Sequence, residues 1–198
     1  ALLSFIPRDR INQLFSGYIR DEITLIPERL KLTLGTRLDH NDFTGLEVQP
    51  NGRLMWTPNE KNSIWLAISR AVRTPSRAEN DVLFNYGTQG KPPFLTVLQL
   101  NGSPHFNSEK LLAYEAGYRY QLAPQASIDI AAFYNDYSQL RDLTFDPRLG
   151  SFHAGIPSYF LLPIGLNNKA SGQTQGVEVS VDWQPHEKWR LQGNYSFL

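Results

Sequence analysis

Arg73 and Arg77 stand four residues apart in "VRTPSR", where an alternating segment gives way to a Pro-Ser turn. Guanidinium groups are planar forks of donors that match carboxylate or catecholate oxygens of an anionic chelate. The plainer role for Arg73 is to pair with a neighbouring carboxylate or to cap a strand end. Two later stretches are rich in rings: 77–108 holds Phe84, Tyr86, Phe94, His105 and Phe106, and 139–171 holds Phe145, Phe152, His153, Tyr159 and Phe160. Long aromatic loops suit recognition of a bulky organic ligand, or they pack on one another. The candidate substrate contacts are therefore Arg73, Arg77, Tyr86, His105, Phe106, His153 and Tyr159.

Other chemistry is poorly provided for. The histidines, at 40, 105, 153 and 186, show no metal-ligand spacing. "DHND" (39–42) has oxygens that suit calcium but lacks the graded spacing of a calcium loop, and a solvated polar loop tip is by far the better explanation. There is no GxSxG, HExxH or phosphate-cradling glycine loop. Ser151, His153 and Asp146 are neighbours in sequence, which is not a geometry. Neither an enzyme nor a cofactor is expected.

Composition narrows the classes further. The 19 basic and 19 acidic residues cancel, and no basic block suggests a nucleic-acid partner. Cysteine is absent, which excludes a disulfide framework and Cys-ligated zinc. No apolar run is long enough for a transmembrane helix. The opening "ALLSFIPRDR" lacks the features of a signal peptide.

The elements that must position these side chains alternate with period two. In "LKLTLGTRL", Leu30, Leu32 and Leu34 oppose Lys31, Thr33 and Gly35. The same rhythm recurs in "SIWLAISRAV", "LAYEAGYRYQL", "ASIDIAAFY", "GVEVSVDW" and "WRLQGNYSF", and more weakly over 15–25 and 48–57. This predicts an all-β protein of about eight antiparallel strands. Several reach roughly ten residues, near the 9–11 that a membrane-spanning strand needs and above the globular mode of about 5–6.

Short turns at 26–29, 58–62, 123–125 and 185–188 alternate with longer links at 40–47, 77–108 and 139–171. In an up-and-down sheet this sends short turns to one rim and long loops to the other, the pattern of a transmembrane β-barrel with short periplasmic turns and long extracellular loops. Trp56, Trp65, Trp183 and Trp189 flank the short turns, where a membrane interface would hold them. One face, Leu30, Leu32, Leu34, Ile64, Leu66, Ile68, Ile128, Ile130, Val177 and Val179, would meet lipid. The other, Lys31, Arg37, Arg53, Glu115, Arg119, Asp129, Glu178, Asp182 and Arg190, would meet the lumen. A soluble β-sandwich alternates too, and eight strands can close a small structural or adhesive barrel by themselves.

The pieces "SRAVRTPSR" (69–77), "SEKLLAYEAGYR" (108–119) and "QGVEVSVDW" (175–183), in this order and spacing, resemble the TonB-dependent outer-membrane receptor family, over about 12–198. The resemblance implies a plugged barrel of about 22 strands. It also implies import of ferric siderophores or similar large nutrient chelates across the Gram-negative outer membrane, with lipid around the wall and TonB as the energising partner. No TonB box, plug domain or closing strands are recognisable. At about 50 residues per hairpin, eleven hairpins need on the order of 550 residues. The expectation is that residues 1–198 form part of the barrel domain, with TonB acting through an N-terminal region outside them.

Overall fold

The computed structural model describes residues 2–91 and 95–198; Phe94 lies outside them. Strand β1 (Leu3–Phe5) precedes four long strands, β2 (Leu14–Ile26), β3 (Leu30–Asn41), β4 (Gly45–Asn59) and β5 (Asn62–Arg73). A short helix, α1 (Arg77–Asp81), leads into the hairpin β6 (Val82–Gln89) and β7 (Leu95–Asn101). Then come β8 (Glu109–Ala123), β9 (Ala126–Phe145), a 3-10 turn (Pro147–Leu149), β10 (Ser151–His153), β11 (Tyr159–His186) and β12 (Trp189–Phe197).

All twelve strands join one sheet. Its wall runs β2-β3-β4-β5-β8-β9-β11-β12, each strand antiparallel to the next. A sandwich would need two packed sheets. A self-contained eight-stranded barrel would pair β2 with β12, and among the described residues these two strands pair only on their inner sides.

Cross-strand register fixes the faces, because directly paired antiparallel residues point the same way. One row reads Lys31, Met55, Trp65, Gly117, Ala131, Glu178 and Ser196. The adjacent row reads Leu32, Leu54, Leu66, Ala116, Ala132 and Val177. Carried along the strands, this places the ten residues from Leu30 to Val179 named above on one face. The nine from Lys31 to Arg190 fall on the other. Ion pairs link neighbouring strands on the charged face: Lys31 Nζ to Glu22 Oε1 at 2.9 Å, Arg119 Nε to Asp129 Oδ1 at 2.5 Å, and Arg190 to Asp182. Trp65 also stands on this face, with Arg53 4.7 Å above its ring. It therefore does not share a face with Trp56, Trp183 and Trp189, because its odd position in β5 turns it to the charged side. Gly117 makes room for it, since a Cβ there would lie 2.2 Å from Trp65 Nε1.

The short-turn rim contains a repeated corner. "WTPNEKN" and "WQPHEKW" both turn on Glu-Lys, at Glu60-Lys61 and Glu187-Lys188, and both carry one extra residue on the proline strand, after Trp56 and after Trp183. Proline cannot donate to a ladder, so it settles at such an irregularity. The next side chain closes the turn. Asn59 Oδ1 accepts from Lys61 N–H at 3.0 Å, and His186 Nδ1 from Lys188 N–H at 3.3 Å.

The opposite rim is more ordered than loop lengths suggest. The expected link over 40–47 is only the turn 42–44, because Asn41 Oδ1 accepts the N–H groups of Phe43 and Thr44 at 2.9 Å and lets both strands run on. The stretch 77–108 folds into α1 and the β6–β7 hairpin, and 139–171 contains the end of β9, β10 and the start of β11. One pairing departs from the antiparallel rule: β7 lies parallel to β11, with Leu95 opposite Tyr159 and Leu100 opposite Ile164. Pro163 and Gly165 hide that segment from a pattern reading, because both residue types normally weaken a strand.

Candidate functional site

Most of the buried side chains lie at the long-connection end. Asp39, Asn41, Glu47, Glu79, Asn80, Asp81, Val82, Phe106 and Ser108 are all buried there. Elsewhere the sheet exposes much of both faces.

Arg73 ends β5 and is held on two sides. Its Nη2 meets Glu79 Oε1 at 2.5 Å and its Nε meets Glu109 Oε2 at 2.7 Å. Glu79 is 2% exposed. From the third position of α1 it reaches back to accept from Ser76 N–H at 2.8 Å and Ser76 hydroxyl at 3.1 Å, one arm of a capping box. Arg141 Nη1 approaches the same carboxylate at 3.7 Å. Burial works against the charged form of Glu79, yet the Arg73 guanidinium and the two Ser76 donors outweigh it and hold the carboxyl below its usual 4.5.

Arg77 is engaged elsewhere. It donates to the carbonyls of Pro7 and Arg8, lies 3.5 Å from Asp81 Oδ2, and covers the Phe5 ring at 4.8 Å. Arg10 completes this knot, 2.8 Å from Asp81 and 4.5 Å from the Phe43 ring centre. Segment 2–10 is thereby tied to α1 and to the 42–44 turn, and β1 pairs with β6.

The ring-bearing candidates separate into two groups. Phe106 is 2% exposed and packs inside the rim. Its connection is stitched to Asn168, whose side chain accepts from Asn107 N–H at 2.7 Å and donates to Asn107 and Gln139 carbonyls at 3.0 and 2.9 Å. Tyr86 and His105 are exposed, Tyr86 meeting Phe84 edge-on at 6.2 Å. His153 and Tyr159 are brought together by the β10–β11 pairing: their rings stack 4.9 Å apart, only 6° from parallel. Sequence reading named both residues but not their contact, which depends on a hairpin too short to show a period.

Ser151 Oγ lies 3.0 Å from His153 Nε2, while the Asp146 carboxylate is engaged elsewhere. It binds Arg148, whose side chain and backbone N–H hold its carboxyl below the usual 3.8. The trio therefore lacks the third group that would orient a base. Among the described residues no cluster of His and carboxylates could hold a metal ion. Among the described residues no helix is long and apolar enough to cross a membrane.

An up-and-down wall with one apolar and one charged face, topped by ordered loops, is the construction of a receptor-type β-barrel wall. The chain belongs to the TonB dependent receptor-like, beta-barrel family, whose model matches residues 3–198. The iron-regulated outer membrane virulence protein of Vibrio cholerae is 23% identical over 186 residues, covering 94% of this chain and 27% of that protein. Among solved structures, a point mutant of the ferric enterobactin receptor of Pseudomonas aeruginosa in complex with enterobactin is 22% identical. It superposes with a TM-score of 0.79 over 94% of this chain and 27% of that one. The siderophore receptor of Acinetobacter baumannii is 18% identical, with a TM-score of 0.76 and coverage of 94% and 27%. The chain thus spans about a quarter of the length of the relatives it matches.

Proposed function

We propose that this chain forms part of the wall and ligand-facing rim of an outer-membrane receptor that imports a ferric siderophore or a similar large chelate. Its apolar face meets lipid, and its charged face meets the barrel interior. The observation that carries this reading is the register, which sorts ten apolar and nine charged residues onto opposite faces of long strands. The iron and siderophore receptors among its relatives supply the cargo class. Energy from TonB enters through parts of the receptor beyond this chain.

Within the rim, Tyr86, His105, His153 and Tyr159 are proposed to touch ligand, while Arg73, Arg77 and Phe106 support the loops that carry them. The test is radio-iron uptake by iron-starved cells in which the complete receptor is the only one present. Uptake of a ferric chelate should disappear when TonB is removed, and should fall about ten-fold in a Tyr86→Ala/His153→Ala/Tyr159→Ala triple variant with normal surface abundance. Uptake that persists without TonB, or that ignores the triple variant, contradicts the proposal.

A further inference from the structure

The two long rim segments are nearly free of charge. From Val82 to Ser108 the only Asp, Glu, Lys or Arg is Lys91, and from Leu143 to Asn168 there are only Asp146 and Arg148. Charged residues make up 19% of the chain, so this depletion is local. Those segments build β6, β7, β10, the last residues of β9 and the start of β11, and among their described strand residues no Lys or Arg stands on either face, Arg141 and Lys169 lying just outside them. Asp146 and Arg148 neutralise each other, with Oδ2 to Nη2 at 2.8 Å.

The nearby arginines are already committed. Arg73 is paired with the buried carboxylate of Glu79 and Arg77 with that of Asp81, and Arg141 lies 3.7 Å from Glu79. Drawing any of these guanidinium groups away weakens the pairing of a buried carboxylate, which is unfavourable. Cations at this end without a carboxylate partner among the described residues are Arg8, Lys91, Lys110 and Lys169. They stand in the 2–13 segment, beyond the end of β6, on the apolar face of β8, and in the irregular stretch of β11.

We infer, on the basis of the receptor reading above, that this rim selects an uncharged or weakly charged chelate, of the hydroxamate kind, over a polyanionic one. A trianionic catecholate complex would give up hydration here without gaining a fixed counter-charge. A neutral chelate instead finds the His153–Tyr159 stack, the Ser151 hydroxyl and the Gln99 amide, which recognise by ring contact and hydrogen bonding. The ligand class therefore differs from that of the enterobactin receptors whose fold the chain shares.

The experiment measures equilibrium binding of two probes, ferrioxamine B and ferric enterobactin, to the complete receptor at low and high salt. The hydroxamate should bind at least about ten-fold more tightly, and its affinity should change less than about two-fold with salt because no exposed ion pair is involved. Tyr159→Ala should weaken hydroxamate binding about ten-fold, with Tyr159→Phe restoring most of it. Lys91→Ala should leave it unchanged. Tighter binding of enterobactin with steep salt dependence, or loss of binding in Lys91→Ala, overturns the ligand class while the receptor reading stands. Binding of neither probe overturns both.

Discussion

Glu79 links three rim elements through a single side chain, joining β5, α1 and β9 by way of Arg73, Ser76 and Arg141. Its folded pKa lies below 4.5, so the stabilisation it gives is present above that value and is lost as pH falls through the lower folded value. Limited proteolysis of the 77–108 stretch should therefore be slow at neutral pH and accelerate as the pH falls below 4.5 through the lowered folded value. In Glu79→Gln the stretch should be cut readily at pH 7 with no such step; equal resistance in parent and variant at both pH values contradicts the role. Gly117 makes a second residue-scale case. Gly117→Ala should destabilise the barrel by about 1–3 kcal/mol through the displaced Trp65 ring, read as a lower unfolding temperature and a shifted tryptophan emission. The candidate residues were legible as types in the sequence, but their availability was not. Arg73 is an attractive anion binder until its two carboxylate partners appear, and those partners are 6 and 36 residues away.

At the scale of the element, the wall was readable because period-two alternation is a local property of each strand. The repeated Trp-x-Pro-x-Glu-Lys corner was visible as well, and the structure supplies its cause in a shared irregularity and a side chain that closes the turn. What pattern could not reveal was the rim. There β7 pairs in parallel with the start of β11, from more than fifty residues away in sequence, and no local signal encodes such a partner. The same logic makes paired substitutions informative. If the apolar face meets lipid, Leu66→Lys should cost about 2–4 kcal/mol near the bilayer midplane, whereas its neighbour on the charged face, Ala67→Lys, should cost about 1 kcal/mol or less. Folding titrations into lipid vesicles measure both. Equal penalties at the two positions would mean that β5 does not separate lipid from lumen.

On the scale of the whole molecule, burial and polarity divide the labour between two regions. The wall is two-faced and buries little within itself, while the long-connection rim is knotted by ion pairs and then opens into a sheet without charges. Fold class and face assignment follow from a repeated local pattern, whereas the architecture of the ligand-facing end depends on contacts between distant segments. The central claim is that the alternation seen in the register is an alternation between lipid and water. This chain has no cysteine, so once any cysteine elsewhere in the receptor is replaced, single cysteines can be placed one at a time along β5 in lipid bilayers, each carrying a spin label. Positions 64, 66 and 68 should be reached preferentially by lipid-dissolved oxygen, and positions 63, 65 and 67 by a water-soluble relaxation agent. A profile without the two-residue period, or one in which both sets are equally exposed to water, would contradict the account.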